Sequence, residues 1–320
     1  MRTTAPGETE ATQEVAAVSP PEPPATEAAA GGEVAAPARP PRRPLVFELR
    51  LLSHFLAMIA IGLIGLVVYL VVVTPIEQGN DQDRLYATFR EQLALATAPT
   101  GGGIEPGKPL ALLNIPGLGF NQVVVQGTSS GDLEAGPGHL RNTPLPGQAG
   151  TSVIYGRSAT FGGPFQRIDK LQAGDRITVT TGQGGFTYRV SGVRRPGDPA
   201  PGPLPKGAGR LMLVTSQAKN VLQHNDILLV DADLLDPVQP QPSDRPSLIP
   251  PQEYVMATDA ATANIELVIW LQALGLTLAG VVWARHRWGK SEAMVIGVPI
   301  TLAIVWNVYE TVGELLPNLL

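Results

Sequence analysis

Thr215 and Ser216 close the octet Leu211-Met-Leu-Val-Thr-Ser-Gln-Ala218, which follows a Lys206-Gly-Ala-Gly-Arg210 turn. Four apolar residues running into a short polar end predict a buried strand. A strand that delivers Ser216 to its mouth presents a nucleophile only if a base stands beside it, because a serine hydroxyl ionises far above neutrality. Without a base, the same octet is a core strand with a polar end. The chain has four histidines and no cysteine. The lack of cysteine excludes a thiol nucleophile, disulfides and thiolate metal sites. Two histidines lie in the middle of the chain, His139 and His224; His224 stands shortly before the last apolar run of the domain and is the candidate base, and its other reading is a solvated loop residue. Arg157 cannot be that base, since a guanidinium stays protonated and offers donors only.

The elements that must position these groups occupy the middle of the chain. Residues 104–235 have the marks of one all-β domain, with short apolar runs (Leu110–Ile115, Gln122–Gln126, Ser152–Tyr155) broken by Pro and Gly turns. Arg176–Thr180 and Phe186–Ser191 alternate polar with apolar around Gly182-Gln-Gly-Gly185, as a half-buried antiparallel hairpin requires. Phe165–Leu171 fits a single helical turn. Many short strands favour closure into a barrel, which removes exposed edges.

Around this domain the composition changes. Hydrophobic residues make up 44% of the chain against 16% charged, a balance that points to membrane segments. Residues 1–44 are rich in Pro, Ala, Glu and Thr and are expected to be a disordered cytoplasmic tail. The run 51–73 exceeds the roughly 20 apolar residues that span a bilayer, and Arg39, Arg42 and Arg43 before it place the tail inside. His54 near its start reads as an interface residue. An amphipathic helix is expected over 81–97, after a break at Thr74-Pro75, with Leu85, Phe89 and Leu93 on one face. Residues 236–252 form a Pro-rich linker. Two further transmembrane helices are expected at 263–284 and 293–316, joined by the basic loop Arg285-His-Arg-Trp-Gly-Lys290. That topology is multi-pass in the cell membrane, with the barrel extracytoplasmic and Glu266, Glu310 and Glu314 as helix-end acids at the outer interface. The net charge of -5 carries no basic block outside the membrane flanks, which argues against nucleic acid as a partner.

Several pieces of the domain resemble the sortase family of membrane-anchored cysteine transpeptidases, most closely its class E, actinobacterial branch. They are Leu113-Asn-Ile-Pro-Gly-Leu118, Val125-Gln-Gly-Thr128, Leu133-Glu-Ala-Gly-Pro-Gly-His139, Leu145-Pro-Gly-Gln-Ala-Gly150, Gly162-Gly-Pro-Phe165 with Ile168-Asp-Lys-Leu171, and Ala173-Gly-Asp-Arg-Ile177. The resemblance implies an eight-stranded β-barrel, so the expected fold class is all-β, a sortase-like barrel plus transmembrane α-helices. It also implies a catalytic Cys, His and Arg, and all three positions are substituted. Ser216 stands for the Cys, Arg157 for the His and Asp226 near the position of the Arg. Arg157 and Asp226 are expected to pair across the old cleft.

The expectation for function is therefore a catalytically degenerate sortase-like protein with an extracytoplasmic binding or scaffolding role in cell-surface protein anchoring or assembly. It needs no cofactor and no metal, and its partners are the membrane together with sorting-signal-bearing surface proteins or an active sortase. Two alternatives stay open at this point. One is an acyl-transferase or hydrolase with Ser216 as nucleophile. The other is a structural subunit that docks on an active sortase or secretion complex.

Overall fold

A computed structural model describes residues 47–217, 227–241 and 246–320. The tail 1–44 lies outside the described residues, as do His224 and Asp226. Helix α1 (Phe47–Val68) continues through a π-helical turn, Tyr69–Val73, into α2 (Thr74–Ala94). The sequence predicts a break at Thr74-Pro75, and the helix does not break there. Pro75 falls in the first turn of α2, where its missing N–H removes little, and the wide π turn before it accommodates the lost bond. The Thr74 hydroxyl donates to the Leu70 carbonyl at 2.8 Å across this junction.

Eight strands follow: β1 (Pro109–Ile115), β2 (Phe120–Gln126), β3 (Gly138–His139), β4 (Gly150–Tyr155), β5 (Arg176–Thr181), β6 (Gly184–Arg194), β7 (Gly209–Ser216) and β8 (Ile227–Leu234). They close into a barrel in the order β1-β2-β3-β4-β7-β8-β6-β5. The β5–β6 pair is the hairpin read from the alternating sequence, in register from Arg176 against Arg189 to Thr181 against Gly184. Leu113, Ile154, Ile177, Leu213 and Val230 are fully buried inside the barrel. The segment between Phe165 and Leu171 carries one 3-10 turn, Ile168–Lys170.

Two features of the barrel matter for the site. Strands β4 and β7 run parallel, with Tyr155 opposite Val214. Parallel neighbours end on the same side, so the residues that leave β4 meet the last residues of β7. Helix α2 packs on the outside through Phe89, which is buried with Val123 and Ala98. Gln82 of α2 completes the packing: its Nε2 donates to the carbonyls of Val123 (3.1 Å) and Ala135 (2.7 Å), and its Oε1 accepts from the Val123 N–H (2.7 Å). A side-chain amide thus satisfies backbone groups of β2 and of the loop beyond it.

After the barrel, a 3-10 turn at Pro251–Glu253 leads to α3 (Ala260–Arg287) and α4 (Lys290–Glu314). Among the described residues, three helical stretches are long and apolar enough to cross a membrane, one beginning at Leu49 and the other two within α3 and α4. Helices α1 and α4 touch where Gly65 leaves no room for a Cβ against the Tyr309 side chain. The Tyr309 hydroxyl donates to the Gly62 carbonyl at 2.8 Å, and the Tyr69 ring meets the Trp306 ring edge-on at 5.5 Å.

Candidate functional site

The site forms where β4 and β7 end together. Thr215 Oγ1 donates to the Gly156 carbonyl (2.8 Å) and the Gly156 N–H to the Val214 carbonyl (3.0 Å), which extends the parallel pairing by one residue. Gly156 is required, because a Cβ there would run into the Phe165 ring. The chain then turns, and Ser158 faces Ser216 with their hydroxyl oxygens 2.7 Å apart.

Both hydroxyls lie beside the backbone of the segment that follows α4. The Leu319 carbonyl is 2.9 Å from Ser216 Oγ, 3.1 Å from Ser158 Oγ and 3.0 Å from the Ser158 nitrogen. Three oxygens are satisfied together when one hydroxyl donates to the other and the second donates to Leu319, in either order. In both orders the Ser216 proton points at a neutral oxygen, of Leu319 or of Ser158. A nucleophile must aim a lone pair at a carbonyl carbon and pass its proton to a base. Among the described residues, the hydrogen-bond partners of Ser216 Oγ are Ser158 and Leu319, and neither is a base.

Arg157 points the other way and is fully buried. Its Nη2 donates to the Ser130 carbonyl (2.7 Å) and hydroxyl (2.8 Å), and its Nη1 to Thr160 Oγ1 (3.1 Å). The guanidinium carbon stands 4.6 Å from the centre of the Phe161 ring, a cation–π contact. Burial pulls the Arg157 pKa down to about 10, with Glu134 opposing the fall, so it remains a cation at neutrality. Asp226 lies outside the described residues, and the acid described beside Arg157 is Glu134, 3.9 Å away. Burial pushes Glu134 up to about 8 against the pull of Arg157, and Glu314, Glu310 and Glu77 add to the rise. Neutral oxygens and an aromatic face hold the buried cation more than a carboxylate does.

Of the helix-end acids, Glu266 and Glu310 are exposed and Glu314 is half-buried. Glu310 and Glu314 line a cavity of about 430 Å³ with Glu77, Tyr69, Glu134 and Phe161, between the end of α4, α2 and the loop that carries Arg157. Glu266 lies on a neighbouring surface with Glu310 and Glu314. His139 has a structural position: it is buried, with Nδ1 3.0 Å from Gln126 Oε1 and Nε2 2.9 Å from the Pro144 carbonyl.

Sequence reasoning missed Ser158, Glu134 and the segment after α4. Ser158 is one residue from a position it singled out, but only the parallel pairing of β4 with β7 brings it to Ser216. The segment gave a weak signal, an apolar run interrupted by Pro317 just past a helix end.

A closed eight-stranded barrel with its site at the joint ends of β4 and β7 defines the class of domain, and residues 113–234 match the family model of the sortase domain. The barrel is thus a sortase domain, and the match does not extend to the helices on either side of it. It is 33% identical over 86 residues to Sortase D of Bacillus subtilis, across 27% of this chain and 42% of that protein. It is 34% identical over 131 residues to Sortase SrtE1 of Streptomyces coelicolor, across 36% of this chain and 37% of that one, in keeping with a class E-like character. It thus spans about two fifths of the length of these curated relatives. The solved structure of sortase E from Streptomyces avermitilis is 34% identical, covering 44% of this chain and 99% of its own, with a TM-score of 0.36.

Proposed function

We propose that this protein is a membrane-anchored sortase-like protein that no longer performs transpeptidation and serves a binding or scaffolding role in the anchoring or assembly of cell-surface proteins. One observation carries the reading: among the described residues, Ser216, at the position of the family's cysteine, has a peptide carbonyl and a second hydroxyl as its hydrogen-bond partners, and neither is a base. Arg157, at the position of the family's histidine, can neither accept a proton nor reach Ser216 while it is bound to Ser130 and Thr160. A site built this way holds a peptide backbone by its carbonyl and leaves the bond intact. The partners this role calls for are the membrane and sorting-signal-bearing surface proteins or an active sortase.

The chemistry is tested on the full chain in detergent, incubated with a sorting-signal peptide and an amine acceptor. Mass spectrometry is expected to find neither an acyl-enzyme nor a cleaved peptide, with the wild type or with Ser216→Cys. Turnover by the wild type that disappears in Ser216→Ala would establish the enzyme reading instead.

The basic flanks at Arg39–Arg43 and Arg285–Lys290 support an extracytoplasmic barrel with the α3–α4 turn inside. Lys206→Cys and Ser291→Cys each add a single thiol at an exposed position of a chain that has none. In intact cells an impermeant reagent should label the first and spare the second, and the reverse pattern would invert the topology.

A further inference from the structure

The segment after α4 is held against the barrel as a ligand is held. Leu319 is fully buried and packs with Leu133, Val153, Tyr155 and Val214. The Leu320 side chain is 2% exposed, and its backbone oxygen accepts from the N–H groups of Ala159 (2.8 Å) and Thr160 (2.7 Å). Together with the Ser158 N–H on Leu319, three consecutive backbone donors of the loop leaving β4 grip two consecutive residues of the segment. Asn318 is fully buried: its Nδ2 donates to the carbonyls of Thr128 (2.7 Å) and Tyr254 (2.9 Å), and its N–H to Ala257 (2.9 Å). The Ser130 hydroxyl reaches the Leu316 carbonyl at 3.1 Å. Each residue from 318 to 320 is thus read by a different group of the barrel or of the 251–257 stretch lying over it.

We infer that the joint end of β4 and β7 is a binding site for a Pro-Asn-Leu-Leu turn, closed by the Leu320 N–H on the Pro317 carbonyl (3.0 Å) and filled in the resting protein by residues 317–320 of the same chain, so that an outside peptide of the same chemistry enters only when this segment leaves. The inference rests on the reading that the site binds peptide without cleaving it. The features that select the ligand are a buried Asn amide donating to two carbonyls, an apolar pocket for the next side chain, and backbone donors for the last two residues. The hydroxyls of Ser158 and Ser216 recognise a main-chain carbonyl, which any peptide offers. Selectivity therefore lies in Asn318 and Leu319, and the built-in segment sets the threshold that a competitor has to exceed.

The test uses the full chain in detergent micelles and a fluorophore-labelled heptapeptide, Glu-Leu-Leu-Pro-Asn-Leu-Leu, the sequence of residues 314–320. Leu319→Asp places a charge in the apolar pocket and should expel the resident segment. Because apparent affinity falls by the fraction of time a site is open, the variant should bind the peptide about tenfold or more tighter than the wild type. A peptide with Asn replaced by Ala should bind more weakly. As a second measurement on the unaltered protein, the amides of Ser158, Ala159 and Thr160 should exchange slowly. In a chain ending at Glu314 they should exchange fast, and added peptide should restore their protection. Equal peptide binding by wild type and Leu319→Asp, or unprotected amides at 158–160 in the wild type, would overturn the inference. Neither result bears on transpeptidation, whereas Ser216-dependent cleavage of a sorting-signal peptide would overturn the proposed function and leave the occupied site in place.

Discussion

Ser158 and Ser216, 58 residues apart in sequence, share a 2.7 Å hydroxyl contact and a single carbonyl, that of Leu319. The pair exists because β4 and β7 are parallel neighbours that end in step, and the two hydroxyls form a clamp on one carbonyl. Replacing Ser216 by Ala removes one donor from that clamp while the Ser158 N–H and hydroxyl remain. The expected loss is about 1 kcal/mol of stability in a urea unfolding curve, the usual net worth of one intramolecular hydrogen bond. A loss of several kcal/mol would mean that Ser216 organises more of the cleft than the clamp.

Arg157 should be among the least replaceable residues of the domain. Truncation to Ala empties a fully buried site and strands the Ser130 and Thr160 oxygens, and the expected destabilisation is about 3 kcal/mol or more. Arg157→Lys keeps the charge but cannot reproduce the two-pronged contact with Ser130 or the stacking on Phe161, so it should rescue only part of the loss. Full rescue by Lys in thermal unfolding would show that charge alone matters there.

Glu134 predicts a pH dependence with a definite sign. Its carboxyl titrates at about 8 in the folded protein and near its ordinary 4.5 when unfolded. The folded state therefore binds the extra proton between these values, and stability falls as pH rises from about 5 through 8. Asp132 and Glu253, both raised by burial, act in the same direction. Glu134→Gln keeps a neutral side chain at all pH values and should flatten part of that fall. Identical slopes of unfolding midpoint against pH for wild type and variant would remove Glu134 from the account.

The 251–257 stretch should depend on one ion pair. Glu253 is 2% exposed and meets Arg141 through both carboxylate oxygens, with Arg141 Nε 3.0 Å from Oε2, while its carbonyl accepts from Thr128 Oγ1 at 2.9 Å. A double-mutant cycle on Arg141→Ala and Glu253→Ala should report a coupling of roughly 2 kcal/mol, the range for partners in direct contact. Coupling near zero would mean that the stretch is held by its backbone contacts alone.

The sequence exposes the parts of this structure that are written locally. The alternation in Arg176–Thr180 and Phe186–Ser191 declares the hairpin, and the apolar run from Leu211 declares β7. Thr74-Pro75 misleads because a proline is a breaker in general and harmless in a first helical turn that follows a π turn. The cleft is less legible, since its contacts join residues far apart in the chain: Arg157 to Ser130 and Ser216 to Leu319. No periodicity encodes such pairs. Family position points from Arg157 to Asp226, whereas the oxygens of residues 130, 134 and 160 that surround the guanidinium in the fold carry no such positional signal.

Only Leu315 and Leu316 separate the last turn of α4 from Pro317, so the transmembrane-length helix and the cleft are two ends of one short tether with no slack. A pull on α4, from a change in bilayer thickness or from a partner gripping α3 and α4, bears directly on the clamp at Leu319. Displacement of α4 along its axis therefore has to be taken up within Leu315 and Leu316 or at the contacts of residues 318–320 with the barrel.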